Sequence, residues 1–194
     1  MCAHLQGQVQ NLSALGRSMG TTHTAARHYL DLLEQTFVLR TPQPLERNLG
    51  KRLVKSPKMY LLDSGLLHAL LDLRDFDALA GHPVFGASWE GFVVEQMLLR
   101  AQAADGWRAS YYRTATGDEL DLVLERSARR GRRARVVAIE CKASSAPKVE
   151  RGFWTSLRDL AVTEAWVVAP VREGFPLGDG AEVLPLGEAL GRIG

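Results

Sequence analysis

Two carboxylates and a lysine brought together on neighbouring strands can hold a divalent cation and steer a phosphate, and Asp121, Glu140 and Lys142 have the spacing for it. Side chains alternate along a strand, so in Glu119 to Glu125 the residues Glu119, Asp121, Val123 and Glu125 share one face, opposite Leu120, Leu122 and Leu124. In Arg135 to Lys142, Glu140 and Lys142 fall on the face of Val136 and Ala138, opposite Val137, Ile139 and Cys141. That strand is apolar on both sides until it reaches Glu140. An unpaired buried charge is costly, and a magnesium or manganese ion shared by Asp121 and Glu140 removes the cost, with Lys142 beside it as a point charge. Cys141 faces the core and reads as a small buried thiol.

The elements that must position these residues are legible around them. Ser88 to Arg100 predicts a helix with Trp89, Phe92, Val93 and Met97 inward, and Glu90 stands at the edge of that stripe, where it could close a metal site from the helix side. Strands over Ser110 to Arg113, Glu119 to Glu125 and Arg135 to Lys142 follow, then a helix over Phe153 to Leu160 and a buried strand over Ala165 to Ala169. Upstream, Leu12, Leu15 and Met19 make one helical stripe that Gly20 stops. Thr21 is expected to cap a second helix carrying Ala25, Ala26, Tyr29, Leu30 and Leu33. The helix-turn-helix and the short apolar runs Phe37 to Leu39 and Met59 to Leu62 predict a winged helix. Gly81, Pro83 and Gly86 put a boundary near residue 80, giving a winged-helix region over 1–80 and a second domain over 81–194.

The ordered set Glu90, Gly117-Asp118-Glu119-Leu120-Asp121 and Ile139-Glu140-Cys141-Lys142 resembles the PD-(D/E)XK nuclease superfamily, although Leu120 stands where a proline often precedes the aspartate. More narrowly, Trp89-Glu90-Gly91-Phe92-Val93, Tyr112-Arg113, Thr24 to Leu33 and Lys55 to Leu66 resemble the DUF4143 family, which is found at the carboxyl end of AAA+-type ATPases. The resemblance implies an α/β fold, a winged helix-turn-helix followed by a restriction-endonuclease-like mixed sheet flanked by helices. It implies catalytic residues Glu90, Asp121, Glu140 and Lys142, with Asp121, Glu140 and Glu90 as ligands to Mg or Mn.

Composition narrows the partners. The formal charge of +2 is too small to imply a polyanion by itself, so a nucleic-acid role must rest on where the cations sit. Arg126, Arg129, Arg130, Arg132 and Arg133 crowd a loop beside the proposed site, with Arg113 nearby, and are expected to meet DNA phosphates. Thr22, His23 and Arg27 occupy the leading edge of the second helix and are candidates for a second DNA contact. Two cysteines without paired spacing argue against a disulfide framework, and no apolar run spans a bilayer, which together predict a cytoplasmic protein without a membrane partner. Gly50-Lys51 is followed by Arg52 and has no glycine five residues before it, so this stretch is no phosphate-binding loop and the chain is no ATPase alone. An ATPase domain in the same or a companion chain is the expected partner. Two functions fit: a metal-dependent DNA endonuclease module, and a non-catalytic DNA- or protein-binding regulatory domain of an ATPase.

Overall fold

The computed structural model describes residues 1–47, 49–128 and 133–194. They form two compact units, one built from Met1–Pro42 and Ser56–Phe92, the other from Gln43–Lys55 and Val93–Gly194.

In the first unit a 3-10 turn over Cys2–Leu5 leads into strand β1 (Gln8–Val9), then helices α1 (Leu12–Ser18) and α2 (His23–Gln35). Asn11 caps α1 by accepting from the Ala14 N–H. Gly20 follows α1 with φ 66°, and the Thr21 N–H returns to the Gly16 carbonyl at 2.8 Å, which ends the helix as a Schellman turn. A side chain on Gly16 would press on the Thr22 backbone at 2.9 Å, so the tight turn requires glycine there. The cap of α2 is Thr22, not the expected Thr21: its hydroxyl accepts from the Ala25 N–H, and Thr21 is used up in the preceding turn. Ala26 and Leu30 are buried as read, whereas Tyr29 is 49% exposed.

Strand β2 is Leu39–Arg40, shorter and later than the run Phe37 to Leu39, because the chain is still leaving α2 at Phe37. It pairs antiparallel with β3 (Lys58–Leu61), which also pairs with β1, giving a sheet in the order β1-β3-β2. Helices α3 (Ser64–Leu70) and α4 (Phe76–Ala80) follow, each capped by an aspartate, Asp63 and Asp75. The core joins Leu15, Ala26, Leu30, Leu39, Met59 and Leu67.

Helix α5 (Phe85–Ala103) is longer than predicted and contributes to both units. Val93 and Met97 are fully buried, but Phe92 is 40% exposed and does not join the inward stripe. The second unit holds a mixed six-stranded sheet flanked by helices, in the order β4 (Trp107–Arg113), β5 (Glu119–Arg126), β6 (Arg135–Cys141), β7 (Glu164–Val168), β9 (Ala181–Leu184), β8 (Phe175–Gly178). The first three strands are antiparallel neighbours; β6, β7 and β9 run parallel, with helix α6 (Arg151–Leu160) crossing between β6 and β7. The sequence predicts no element after β7. The hairpin β8–β9 and helix α7 (Leu186–Arg192) were hidden behind Pro170, Gly174, Pro176, Gly178, Gly180 and Pro185, which break any periodicity.

Both faces of β5 are covered. Leu122 and Leu124 are buried on one side, and Val123 packs on the other with Ala138, Phe153 and Leu157. Leu120 packs with Val123 and not opposite it as strict alternation predicts, because the register against β4 shifts between Ser110 and Tyr112 and breaks the alternation around Asp121 and Leu122.

Candidate functional site

The hairpin that delivers Asp121 is tightly specified. Gly117 has φ 101°, which side-chain-bearing residues rarely adopt, and its N–H bonds the Thr114 carbonyl at 3.1 Å. The Thr114 hydroxyl accepts from the Asp118 N–H, and the Thr114 N–H donates to the Asp118 carbonyl, so the turn closes and β5 begins at Glu119. Asp118 lies against the start of α6, where a side chain on Gly152 would meet its Oδ1 at 3.3 Å.

The β5–β6 ladder ends at the pair Leu122 and Ile139, and against β4 the register of β5 shifts at the level of Asp121 and Leu122. Instead of continuing the ladder, Asp121 turns its carboxylate onto the neighbouring strand: Oδ2 accepts from the Cys141 N–H at 2.9 Å. The Asp121 carboxylate thus lies against the backbone of β6 at the residue that follows Glu140. Lys142, just past the end of β6, places Nζ 2.8 Å from Glu140 Oε1. Burial alone would pull the Lys142 ammonium down, but the Glu140 carboxylate, by charge and hydrogen bond, outweighs it together with the charges of Asp121 and Glu150, and the pKa is raised. Lys142 is therefore cationic near neutral pH. Glu150, the residue before α6, was not singled out in the sequence; its one signal was its place immediately ahead of a helix.

Asp121, Glu140 and Lys142 are thus brought together. Glu90 belongs to the other unit, where its Oε1 accepts from Lys58 Nζ at 2.8 Å and from the Tyr60 hydroxyl at 2.5 Å. Lys58 is 2% exposed, so the carboxylate balances a buried ammonium. The neighbouring Gly91 has a packing reason: a Cβ there would collide with Gln6 Nε2, whose amide oxygen accepts from the Leu61 N–H.

Among the described residues no group of three or more His, Cys, Asp or Glu side chains is gathered closely enough to hold a metal ion. A pair of carboxylates remains a sufficient protein contribution for magnesium, which keeps several waters and takes its other ligands from phosphate. With Lys142 the pair carries one net negative charge, and its donors are hard oxygens. The donor set fits Mg or Mn.

The arginines divide. Arg113 pairs with Glu119 at 3.0 Å across the hairpin, and Arg126 stacks on Trp107 at 4.6 Å, where Arg135 also approaches the ring. Arg133 is exposed, and Arg129, Arg130 and Arg132 lie outside the described residues. In the first unit His23 and Arg27 are exposed, while the Thr22 hydroxyl is engaged as a cap.

Comparison with known families places this geometry. The model of the domain of unknown function DUF4143 matches residues 85–189, which is more than half of the chain. The chain belongs to the DUF4143 family. Ahead of the DUF4143 region, residues 1–77 match a second domain of unknown function, DUF8612. An uncharacterized protein of Mycobacterium tuberculosis and one of Mycobacterium bovis are each 40% identical to the chain over 190 residues, 98% of its length. The chain spans about two fifths of those relatives, 41% of each. No solved structure matches. The DUF4143 match contains Glu90, Asp121, Glu140 and Lys142, and no described helix is long and apolar enough to cross a membrane.

Proposed function

We propose that the DUF4143 region is a nuclease-like module of the PD-(D/E)XK type that hydrolyses DNA phosphodiesters with magnesium or manganese. The observation that carries this reading is the Asp121 carboxylate accepting from the Cys141 N–H, one residue from Glu140, with the Lys142 ammonium 2.8 Å from Glu140. Asp121 and Glu140 would hold the ion, which would supply positive charge to a phosphate oxygen and acidify a water near neutral pH. Asp121, anchored on the Cys141 N–H, and Glu140, fixed in β6, hold the carboxylate pair in place without rearrangement. Lys142 can turn from Glu140 to the phosphate, because an ammonium is a rotatable point charge on a flexible stem. The same proposal reads the first unit as a winged helix, supported by the Schellman turn between α1 and α2 and by the pairing of β2 with β3. It also places the chain in the cytoplasm, working with an AAA+-type ATPase domain in the same or a companion chain.

A cleavage assay tests it. Purified protein is incubated with manganese and single-stranded, duplex and branched DNA, beside Asp121→Ala, Glu140→Ala and Lys142→Ala. Cutting that each substitution lowers at least a hundredfold is expected; cutting that survives all three, or none by the parent chain, rejects hydrolysis by this site. The second reading, a non-catalytic DNA- or protein-binding regulatory domain, is favoured by one observation: Glu90 is already engaged by Lys58 and Tyr60.

A further inference from the structure

Strand β4 is an edge of the six-stranded sheet, and the segment Gln43–Lys55 covers it. The Tyr111 N–H donates to the Gln43 carbonyl at 3.1 Å and the Leu45 N–H to the Tyr111 carbonyl at 2.7 Å, while the Val54 N–H reaches Arg113 and the Ala115 N–H reaches Arg52. Leu45, Leu49 and Leu53, spaced by four, turn inward against the second unit's core. The residues between them carry the charge. A groove of about 500 Å³ is lined by Arg47, Lys51, Arg52 and Lys55, with Glu46 as its one lining carboxylate. Lys51 is held by Asp159 at 2.6 Å, and Arg47 reaches Glu125 at 3.7 Å and the Leu160 carbonyl at 3.4 Å, so two of the cations are oriented from beneath. Arg52 and Lys55 are exposed.

We infer that this groove holds the phosphate backbone of a nucleic-acid strand. Among the described residues its lining offers charge and guanidinium forks but no aromatic ring on which a base could stack, so it contacts backbone and not sequence. Lys51 meets α6 near its carboxyl end, through Asp159, and Glu150 stands just ahead of its amino end, within range of Lys142. Ten helical residues span roughly 15 Å, which is about four nucleotide rises measured along a duplex axis. The inference deepens the nuclease reading by giving the same substrate a second foothold, and binding measured without metal separates the two.

The test is fluorescence anisotropy of the full chain with labelled duplex and single-stranded DNA in excess chelator, over a salt series. Arg52→Ala/Lys55→Ala should bind roughly tenfold more weakly and flatten the duplex salt slope by about 1.8, two lost phosphate contacts at about 0.9 each. The control Arg74→Ala/Arg172→Ala removes equal charge from exposed positions elsewhere and should leave both values unchanged. Equal weakening by the control, or displacement by polyglutamate as readily as by DNA, would each overturn the proposal. So would failure of the parent chain to bind either DNA. Unchanged thermal melting of both variants excludes unfolding as the cause.

Discussion

Phe37 stands at the position after a helix cap where glycine is usual. It has φ 57°, its N–H bonds the Glu34 carbonyl, and the Val38 N–H returns to the Leu33 carbonyl at 2.8 Å, the two bonds of a Schellman turn. Its ring is 82% exposed, so little packing compensates the left-handed strain. Phe37→Gly should therefore raise stability by about 1 kcal/mol, read from the midpoint of urea unfolding; a fall of that size would mean that the ring contributes contacts that outweigh the strain. A reading that counts apolar residues takes Phe37 for a strand residue, because hydrophobicity does not report φ. Residue-scale partners across long sequence distances were equally hidden. Nothing in Trp89-Glu90-Gly91 announces that Glu90 neutralises Lys58, and nothing in Glu150 announces that its charge reaches Lys142.

At the scale of elements, Asp159 ties three of them: its Oδ2 accepts from Lys51 Nζ at 2.6 Å and from the Tyr112 hydroxyl at 2.8 Å, joining α6, the edge segment and β4. Burial by itself would raise the Asp159 carboxyl, but the hydrogen bonds from Lys51 and Tyr112 and the charges of Lys51 and Arg158 hold it below its ordinary value. A lowered carboxyl pKa stabilises the fold above the ordinary carboxylate range, and that contribution disappears as pH falls through the folded value. Asp159→Asn should thus cost stability at pH 7 and progressively less below about pH 4, measured by thermal melting across pH. A loss independent of pH would assign Asp159 a role in shape alone. The Tyr112 phenol is shifted upward by burial and by Asp159, and remains a hydrogen-bond donor throughout this range. Strands β5 and β6 were legible because alternation and β-branched runs mark a buried sheet. The edge segment was not, since Leu45, Leu49 and Leu53 find their core only through β4, more than fifty residues downstream.

At the scale of the whole chain, the mixed sheet with flanking helices was readable from element order, and so was the strand that carries Glu140 and delivers Lys142. Membership of the DUF4143 family came from short motifs spread across both halves of the chain. The relatives are more than twice as long, so whole-protein activity, including any coupling to an ATPase, belongs to the proposal. The central claim is narrower: two carboxylates on adjacent strands form a divalent-cation site. The charges of Asp121 and Glu140 both raise the Lys142 pKa, and a cation would relieve the repulsion of the carboxylates that this ammonium relieves in part. Isothermal titration of the chain with manganese tests this most directly. One ion per chain is expected, lost in Asp121→Ala and in Glu140→Ala and retained in Lys142→Ala. No binding at millimolar manganese, or binding unchanged by both carboxylate substitutions, would contradict it.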